Sequence, residues 1–223
     1  MTTAEAWRTT DRLLPLGGPA DGAWIAERAV RALLAETARG VRGVVPALPR
    51  FRLAGEAGAA AGPRFPVPPG GLPAGELRIA LEFAARLTVV SGRPLPELAD
   101  ALRAALLGAA EGLGLVVAGV DLRVTELLDD APGDPAPAAP PPGRTSPPTP
   151  DDPAAMAALA VPGVAALTDV FGAPLRRAPG LLRVELAVTA DHRAVEVCRA
   201  VRTAVTAAAP GATTVTVLVS ELR

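Results

Sequence analysis

The sequence contains no lysine, tyrosine, asparagine or glutamine, and it has one histidine, one cysteine and only 3% aromatic residues. His192 and Cys198 cannot make a zinc site of four Cys/His ligands, and a disulfide framework needs at least two cysteines. Most nucleophile–base pairs are excluded as well. An enzyme would need a site built from Asp, Glu, Arg, Ser and Thr alone. We therefore expect a protein that is not an enzyme, with no catalytic residues, no metal and no cofactor.

The charge balance is close to neutral: 22 arginines oppose 23 Asp and Glu residues, and the pI is about 5.9. Proteins whose main partner is nucleic acid usually have a basic stripe or a pI above about 9. Here the arginines are dispersed, so no nucleic-acid partner is expected. The longest uncharged apolar stretch, 153–168, is broken by Pro162-Gly163 and is shorter than the roughly 20 residues of a spanning helix. Nor does the start of the sequence resemble a signal peptide. These patterns predict a cytoplasmic protein without direct membrane insertion.

A proline-rich segment divides the sequence at 129–153, where ten of the 25 residues are proline. Such a segment cannot bury apolar surface, so we predict an extended, disordered linker. A role as a ligand for an SH3-type domain is disfavoured because no arginine recurs beside a PxxP unit. The resulting division is a flexible N-terminus at 1–22, a first unit at 23–128, the linker, and a second, shorter unit at 154–223.

Hydrophobic periodicity predicts similar elements on both sides of the linker. In the first unit we expect a helix at 23–38 with Asp21 or Gly22 near its N-cap, and a loop insertion at 46–76 containing a short strand at 51–53. A strand at 77–83, a helix that Pro94 and Pro96 open and Gly112 and Gly114 end, and a strand at 120–127 follow. In the second unit we expect a helix at 154–160, a strand at 182–188, a helix from Ala194 that stops near Pro210-Gly211, and a strand at 215–219. Alternation in the strand at 182–188 directs Arg183 and Glu185 outward.

The two units align with each other. A shift of 95 residues places 120–127 on 215–222 without a gap, with Thr125 on Ser220, and it places Leu102 on Val197 in the preceding helix. A shift of 120 places Val41-Arg42-Gly43-Val44 on Val161-Pro162-Gly163-Val164. We therefore predict an α+β fold of two small two-layer α/β sandwich repeats (helix–strand–strand–helix–strand) joined by the disordered proline-rich linker.

The repeated unit resembles the alkaline shock protein family, the envelope stress response proteins of Gram-positive bacteria that are also called general stress proteins. The features that carry the resemblance are the helix leading into Val161-Pro162-Gly163-Val164, a strand, a second helix, and the closing Val215-x-Val217-x-Val219 strand. The first unit departs from the family pattern in having Arg42 in place of proline, and the insertion at 46–76 and the tandem arrangement are atypical. The resemblance implies a non-catalytic role in cell-envelope homeostasis through protein–protein contacts. The implied partner is a membrane-anchored protein or a second copy of the chain, which would place the protein at the inner face of the membrane.

Individual residues offer little chemistry. His192 follows Asp191 at the start of a predicted helix, where a solvated side chain is expected, and Cys198 lies on an apolar stripe, which predicts a buried, inert thiol. Trp24 is expected to pack the first helix against the sheet. The pairs Asp129-Asp130 and Asp151-Asp152 are interpreted as solubilising charges of the linker. Gly112 and Gly114 follow a helix instead of preceding it, so they do not form a phosphate-binding loop.

One alternative function stays open from the sequence. Small α/β folds often serve as nucleic-acid or nucleotide-binding modules, and dispersed arginines can still form one basic face after folding. A salt-dependent gel shift would distinguish this alternative from a protein-interaction role.

Overall fold

The structure, a computed structural model, describes residues 12–55, 65–86, 94–128 and 152–223. In this part of the chain it contains four helices and ten strands, which confirms the α+β class. The strands are β1 Leu13–Leu16, β2 Ala23–Ala26, β3 Val44–Pro46, β4 Arg50–Leu53, β5 Leu77–Arg86, β6 Val117–Leu128, β7 Val164–Leu167, β8 Leu175–Ala178, β9 Leu181–Val188 and β10 Thr214–Leu222. The helices are α1 Glu27–Arg39, α2 Leu95–Leu113, α3 Pro153–Leu159 and α4 Ala194–Ala208.

The strands form two sheets with related connections. In sheet B, β3 and β4 both pair antiparallel with β5, and β6 pairs parallel with its other side. In sheet A, β7 and β8 both pair antiparallel with β9, and β10 pairs parallel with its other side. Sheet A is larger because β2 adds parallel to β10 and β1 adds antiparallel to β2.

The match between β6 and β10 extends to an irregularity. The register of β6 against β5 shifts at Thr125, and the register of β10 against β9 shifts at Ser220. A bulge leaves one extra residue in one strand, and here both extra residues carry a hydroxyl. Thr125 donates to the carbonyl of Phe83, and Ser220 donates to the carbonyl of Leu186, each at 3.3 Å. The aligned hydroxyl residues therefore make the same local contact in both sheets.

The turn that follows the first helix of each half is also shared. Gly43 and Gly163 have φ values of 93° and 90°, a backbone conformation that favours glycine. The carbonyl of Gly43 accepts the amide of Arg86 at the end of β5, and that of Gly163 accepts the amide of Thr189 just beyond β9. The Arg42-for-proline difference leaves this turn geometry unchanged.

One hydrophobic core joins the two halves. Helix α1 contacts α2, α3 contacts α4, and α2 contacts α4, so the helices pack together on one face of each sheet. Residues from both halves belong to a single buried cluster, including Leu34, Phe83, Leu102, Val201 and Val217. The predicted ends of α2 are confirmed, with Pro94 as the N-cap and Gly114 as a left-handed C-cap.

The N-terminal part of the chain corrects two predictions. Residues 13–16, expected within a flexible segment, form the buried strand β1, while residues 1–11 lie outside the described part. The helix expected at 23–38 begins only at Glu27, because the apolar residues Ala23–Ala26 are buried as a strand between β1 and β10. The N-cap is accordingly Ala26, and neither Asp21 nor Gly22 caps the helix.

Each half contains one strand more than the predicted order, which becomes helix–strand–strand–strand–helix–strand. The short strand expected at 51–53 is confirmed as β4, so the stretch 46–76 is more than a loop insertion. The sequence patterns did not predict its counterpart β8, nor the short strands β3 and β7. Strand β8 is four residues long and mostly exposed, so its sequence shows no alternation of apolar and polar residues.

The second half begins slightly earlier than predicted. Asp152 is the N-cap of α3, where its carboxylate accepts the amides of Ala154 and Ala155. It also forms two hydrogen bonds with Arg177, each of 2.9 Å. Asp152 and Pro153 therefore belong to the folded unit and not to the linker. The rest of the predicted linker, 129–151, lies outside the described residues.

Candidate functional site

The free edge of sheet B is the most distinctive surface of the described structure. Strand β6 pairs with β5 on one side, and no described strand pairs with its other side. At 12 residues it is the longest strand in the described part of the chain, about 40 Å at the usual rise of 3.3 Å per residue. An unpaired edge of this length presents a row of backbone donors and acceptors to another chain.

The internal counterpart of β6 shows what such an edge binds. Strand β10 is covered by β2, which contributes Ala23, Trp24 and Ile25 opposite 217–219. Val217 and Val219 are consequently fully buried. Their counterparts in β6, Leu122 and Val124, are only half-buried. The apolar flank of β6 is therefore incomplete in the isolated chain, and a short added strand would complete it.

The outer face of sheet B is charged, and several of its charges form ion pairs. Asp121 accepts hydrogen bonds from Arg52 at 3.1 Å and from Arg78 at 3.0 Å. These bonds, first the one from Arg52, hold the pKa of Asp121 below its ordinary value. Arg123 lies 3.7 Å from Glu82 in a further ion pair. These pairs neutralise part of the positive charge on this face, which also carries the exposed Arg50.

The equivalent face of sheet A is covered instead of exposed. Leu13, Trp24 and Leu218 form a second buried cluster on which Phe65 and Phe171 pack. Trp24 lies in β2, not at a helix, and its indole nitrogen donates to the carbonyl of Leu72 at 2.9 Å. The segment 65–72 and the loop 168–171 after β7 thus cover this face of the sheet.

A buried carboxylate lies under this cover. Glu185 of β9 is fully buried, contrary to its predicted outward exposure. Its carboxylate accepts the amides of Val170 at 2.6 Å and Phe171 at 3.0 Å, and the hydroxyl of Thr168 at 3.1 Å. The Thr168 hydroxyl lies 2.6 Å from that of Ser220. Burial raises the pKa of Glu185 to about 7, because removal from water costs the ionised form more than these hydrogen bonds return.

The N-terminal hairpin is held to α4 by an ion pair between the buried Asp21 and the exposed Arg199. Arg199 donates to both carboxylate oxygens of Asp21, at 2.7 and 3.1 Å, and the amide of Gly18 adds a further bond of 2.7 Å. Chiefly through the Arg199 bonds, the pKa of Asp21 is lowered. The guanidinium of Arg202 lies 5.0 Å from the centre of the Phe65 ring, a cation–π contact. These contacts fix the position of β2 beside β10.

The single histidine and cysteine lie apart from these surfaces. His192 is exposed before α4, as predicted, and its Nδ1 lies 2.9 Å from both Asp191 and Thr189. Cys198 is a free, buried thiol whose pKa burial raises to about 12, so it is inert at neutral pH, as expected. Within the described ranges, no group of three or more His, Cys, Asp or Glu residues could hold a metal ion.

Comparisons with known proteins leave the geometry of the structure as the only structural evidence on function. No protein-family model, curated protein or solved structure matches this chain. Among the described residues, no helix is long and apolar enough to cross a membrane.

Proposed function

We propose that the chain is a tandem duplication of one unit resembling the alkaline shock protein family, and that it acts as a non-enzymatic cytoplasmic interaction protein in cell-envelope homeostasis. The repeated strand pairings, the paired hydroxyl bulges and the two glycine turns support the duplication. A disordered proline-rich linker would join the two sandwich repeats.

The observation that carries the interaction role is the difference between β6 and β10. The two matched strands have equivalent neighbours on one side, β5 and β9, yet among the described residues only β10 has a further strand on its other side. Strand addition supplies main-chain hydrogen bonds and apolar contacts, and it is a common mode of peptide recognition. In our proposal, a membrane-anchored protein contributes a strand to β6 and so holds this protein at the inner face of the membrane.

Two exposed leucines allow a matched test. Leu127 lies on β6 and is 56% exposed, whereas Leu48 lies between β3 and β4 and is 67% exposed. Leu127→Arg places a charge on the proposed docking edge, while Leu48→Arg adds the same charge elsewhere. Neither residue belongs to the buried core, so both variants should fold.

The experiment combines location with capture in the organism that encodes the protein. Fluorescently tagged wild type and Leu48→Arg should lie at the cell periphery, and cross-linking should join both to the same membrane protein. Leu127→Arg should spread through the cytoplasm and lose that cross-link. An even distribution of the wild type, or unchanged capture by Leu127→Arg, would show the proposal to be wrong. If sedimentation of the purified chain showed self-association through β6, the partner would be a second copy of the chain and not a membrane protein.

A further inference from the structure

A groove on the covered face of sheet A is separate from the β6 edge. It encloses about 320 Å³ between three adjacent strands and the segment 66–69, a volume at the lower end of the range of small-molecule sites. Its floor consists of Arg176 and Ala178 of β8, Leu181 and Arg183 of β9, and Thr216 of β10. Its wall is Pro66-Val67-Pro68-Pro69, so most of the lining is apolar.

Two arginines lie side by side in this groove. Arg176 and Arg183 are directly opposite each other in the β8–β9 pairing, a placement that is unfavourable for like charges. Neither forms a salt bridge with a carboxylate in the described part of the chain. Burial lowers the pKa of Arg183; the charge of the nearby Glu185 opposes this effect, and that of Arg176 adds to it.

Arg183 is largely withdrawn from water. Its exposed fraction is only 8%. One terminal nitrogen donates to the carbonyl of Phe171 at 3.3 Å, but Nε has no hydrogen-bond partner in the described part of the chain. The carboxylate of Glu185 is occupied by the loop amides and Thr168 and does not form a hydrogen bond with Arg183. A buried guanidinium with an unused donor is costly, and an anionic group in the groove would remove that cost.

We propose that this groove binds a small amphiphilic carboxylate, with its anionic group between Arg176 and Arg183 and its apolar part against the wall formed by residues 66–69. Guanidinium groups present paired donors that match a carboxylate. The apolar wall favours a ligand with an alkyl chain or ring over an inorganic anion.

Calorimetric titration of the full chain with decanoate tests this site. Decanol and decyltrimethylammonium share the alkyl chain but lack the negative charge, and inorganic phosphate lacks the chain. We expect measurable binding of decanoate and at least about tenfold weaker binding of the other three probes, equivalent to about 1.4 kcal/mol. Equal binding of decanol would overturn the role of the arginines, and equal binding of phosphate would overturn the role of the apolar wall.

Variants locate the binding within the molecule. Arg176 is exposed, so Arg176→Gln should fold normally and still weaken decanoate binding about tenfold, and Val67→Glu should weaken it by repulsion. Arg183→Gln should also reduce affinity and should be compared with the wild type by circular dichroism. Arg123→Gln removes an exposed arginine from sheet B and should leave affinity unchanged. Unchanged binding by both Arg176→Gln and Val67→Glu, or no decanoate binding by the wild type, would refute the proposal.

Discussion

The buried carboxylate of Glu185 makes a sharp prediction about stability and pH. Folding raises its pKa from an ordinary 4.5 to about 7. Between these pH values the folded protein keeps a proton that the unfolded chain releases, so the free energy of unfolding falls as pH rises. The slope is about 1.4 kcal/mol per pH unit. Over the whole interval the free energy of unfolding falls by about 3 kcal/mol. This stability is fully present below pH 4.5 and is lost above pH 7.

Glu185→Gln should abolish this dependence because an amide does not titrate. The variant loses stability near pH 5, because its NH₂ group takes the position of the oxygen that accepts the amide of Phe171. Near pH 8 this loss relative to the wild type should be smaller than near pH 5 by about 2.5 kcal/mol. Asp21 and Asp152 have lowered pKa values, so their contributions are lost only as pH falls below about 3.8 and do not affect this interval.

Urea unfolding followed by circular dichroism, from about pH 5 to about pH 8, measures these slopes. The sequence offers a matched control, since Glu82 occupies the equivalent position in sheet B but is exposed. Glu82→Gln should retain the wild-type slope. If Glu185→Gln also retains it, the buried carboxylate does not hold the proton and the account of its environment is wrong.

Three further predictions concern contacts that position the hairpin and the strands. Asp21→Ala should lower the free energy of unfolding by about 1–2 kcal/mol in urea titrations, because the amide of Gly18 and the guanidinium of Arg199 lose their acceptor; an Asp21→Ala/Arg199→Ala double variant whose loss equals the sum of the two single losses would contradict the pairing. Gly114→Ala should cost about 2–4 kcal/mol, because φ is 90° and the new methyl group would meet Val195 at 2.2 Å. Adding Val195→Ala should recover part of the melting temperature, and no recovery would exclude the clash. Ser220→Ala should cost about 1–2 kcal/mol by thermal unfolding, and an unchanged melting temperature would show that the bulge hydroxyl contributes nothing.

Local periodicity was sufficient for the elements that carry their own pattern. Strand β5 shows strict alternation of buried and half-buried residues, and α4 places Val197, Val201 and Val205 on one buried face. Both were predicted because a sheet or helix face repeats at a fixed interval. The turn at Gly163 was also visible, since a glycine after a short apolar helix is a local signal.

The missed features depend on contacts between distant parts of the chain. Arg183 and Glu185 alternate with apolar residues as Arg78 and Glu82 do, so the sequence predicts the same outward exposure for both pairs. The prediction is wrong in sheet A because the loop 168–171 and the segment 65–72 cover that face. No local sequence pattern predicts that these segments cover the sheet. The groove that contains Arg176 and Arg183 was not predicted for the same reason.

The position of β2 also has a consequence for the order in which the protein assembles on the ribosome. Trp24 pairs with Leu218, which is translated about 190 residues later, or roughly 10–40 s later at 5–20 residues per second. During that delay the apolar segment 23–26 can pair with β1 on one side, but its other edge lacks its neighbour β10. Nascent chains should therefore expose this edge of β2 until the last strand emerges.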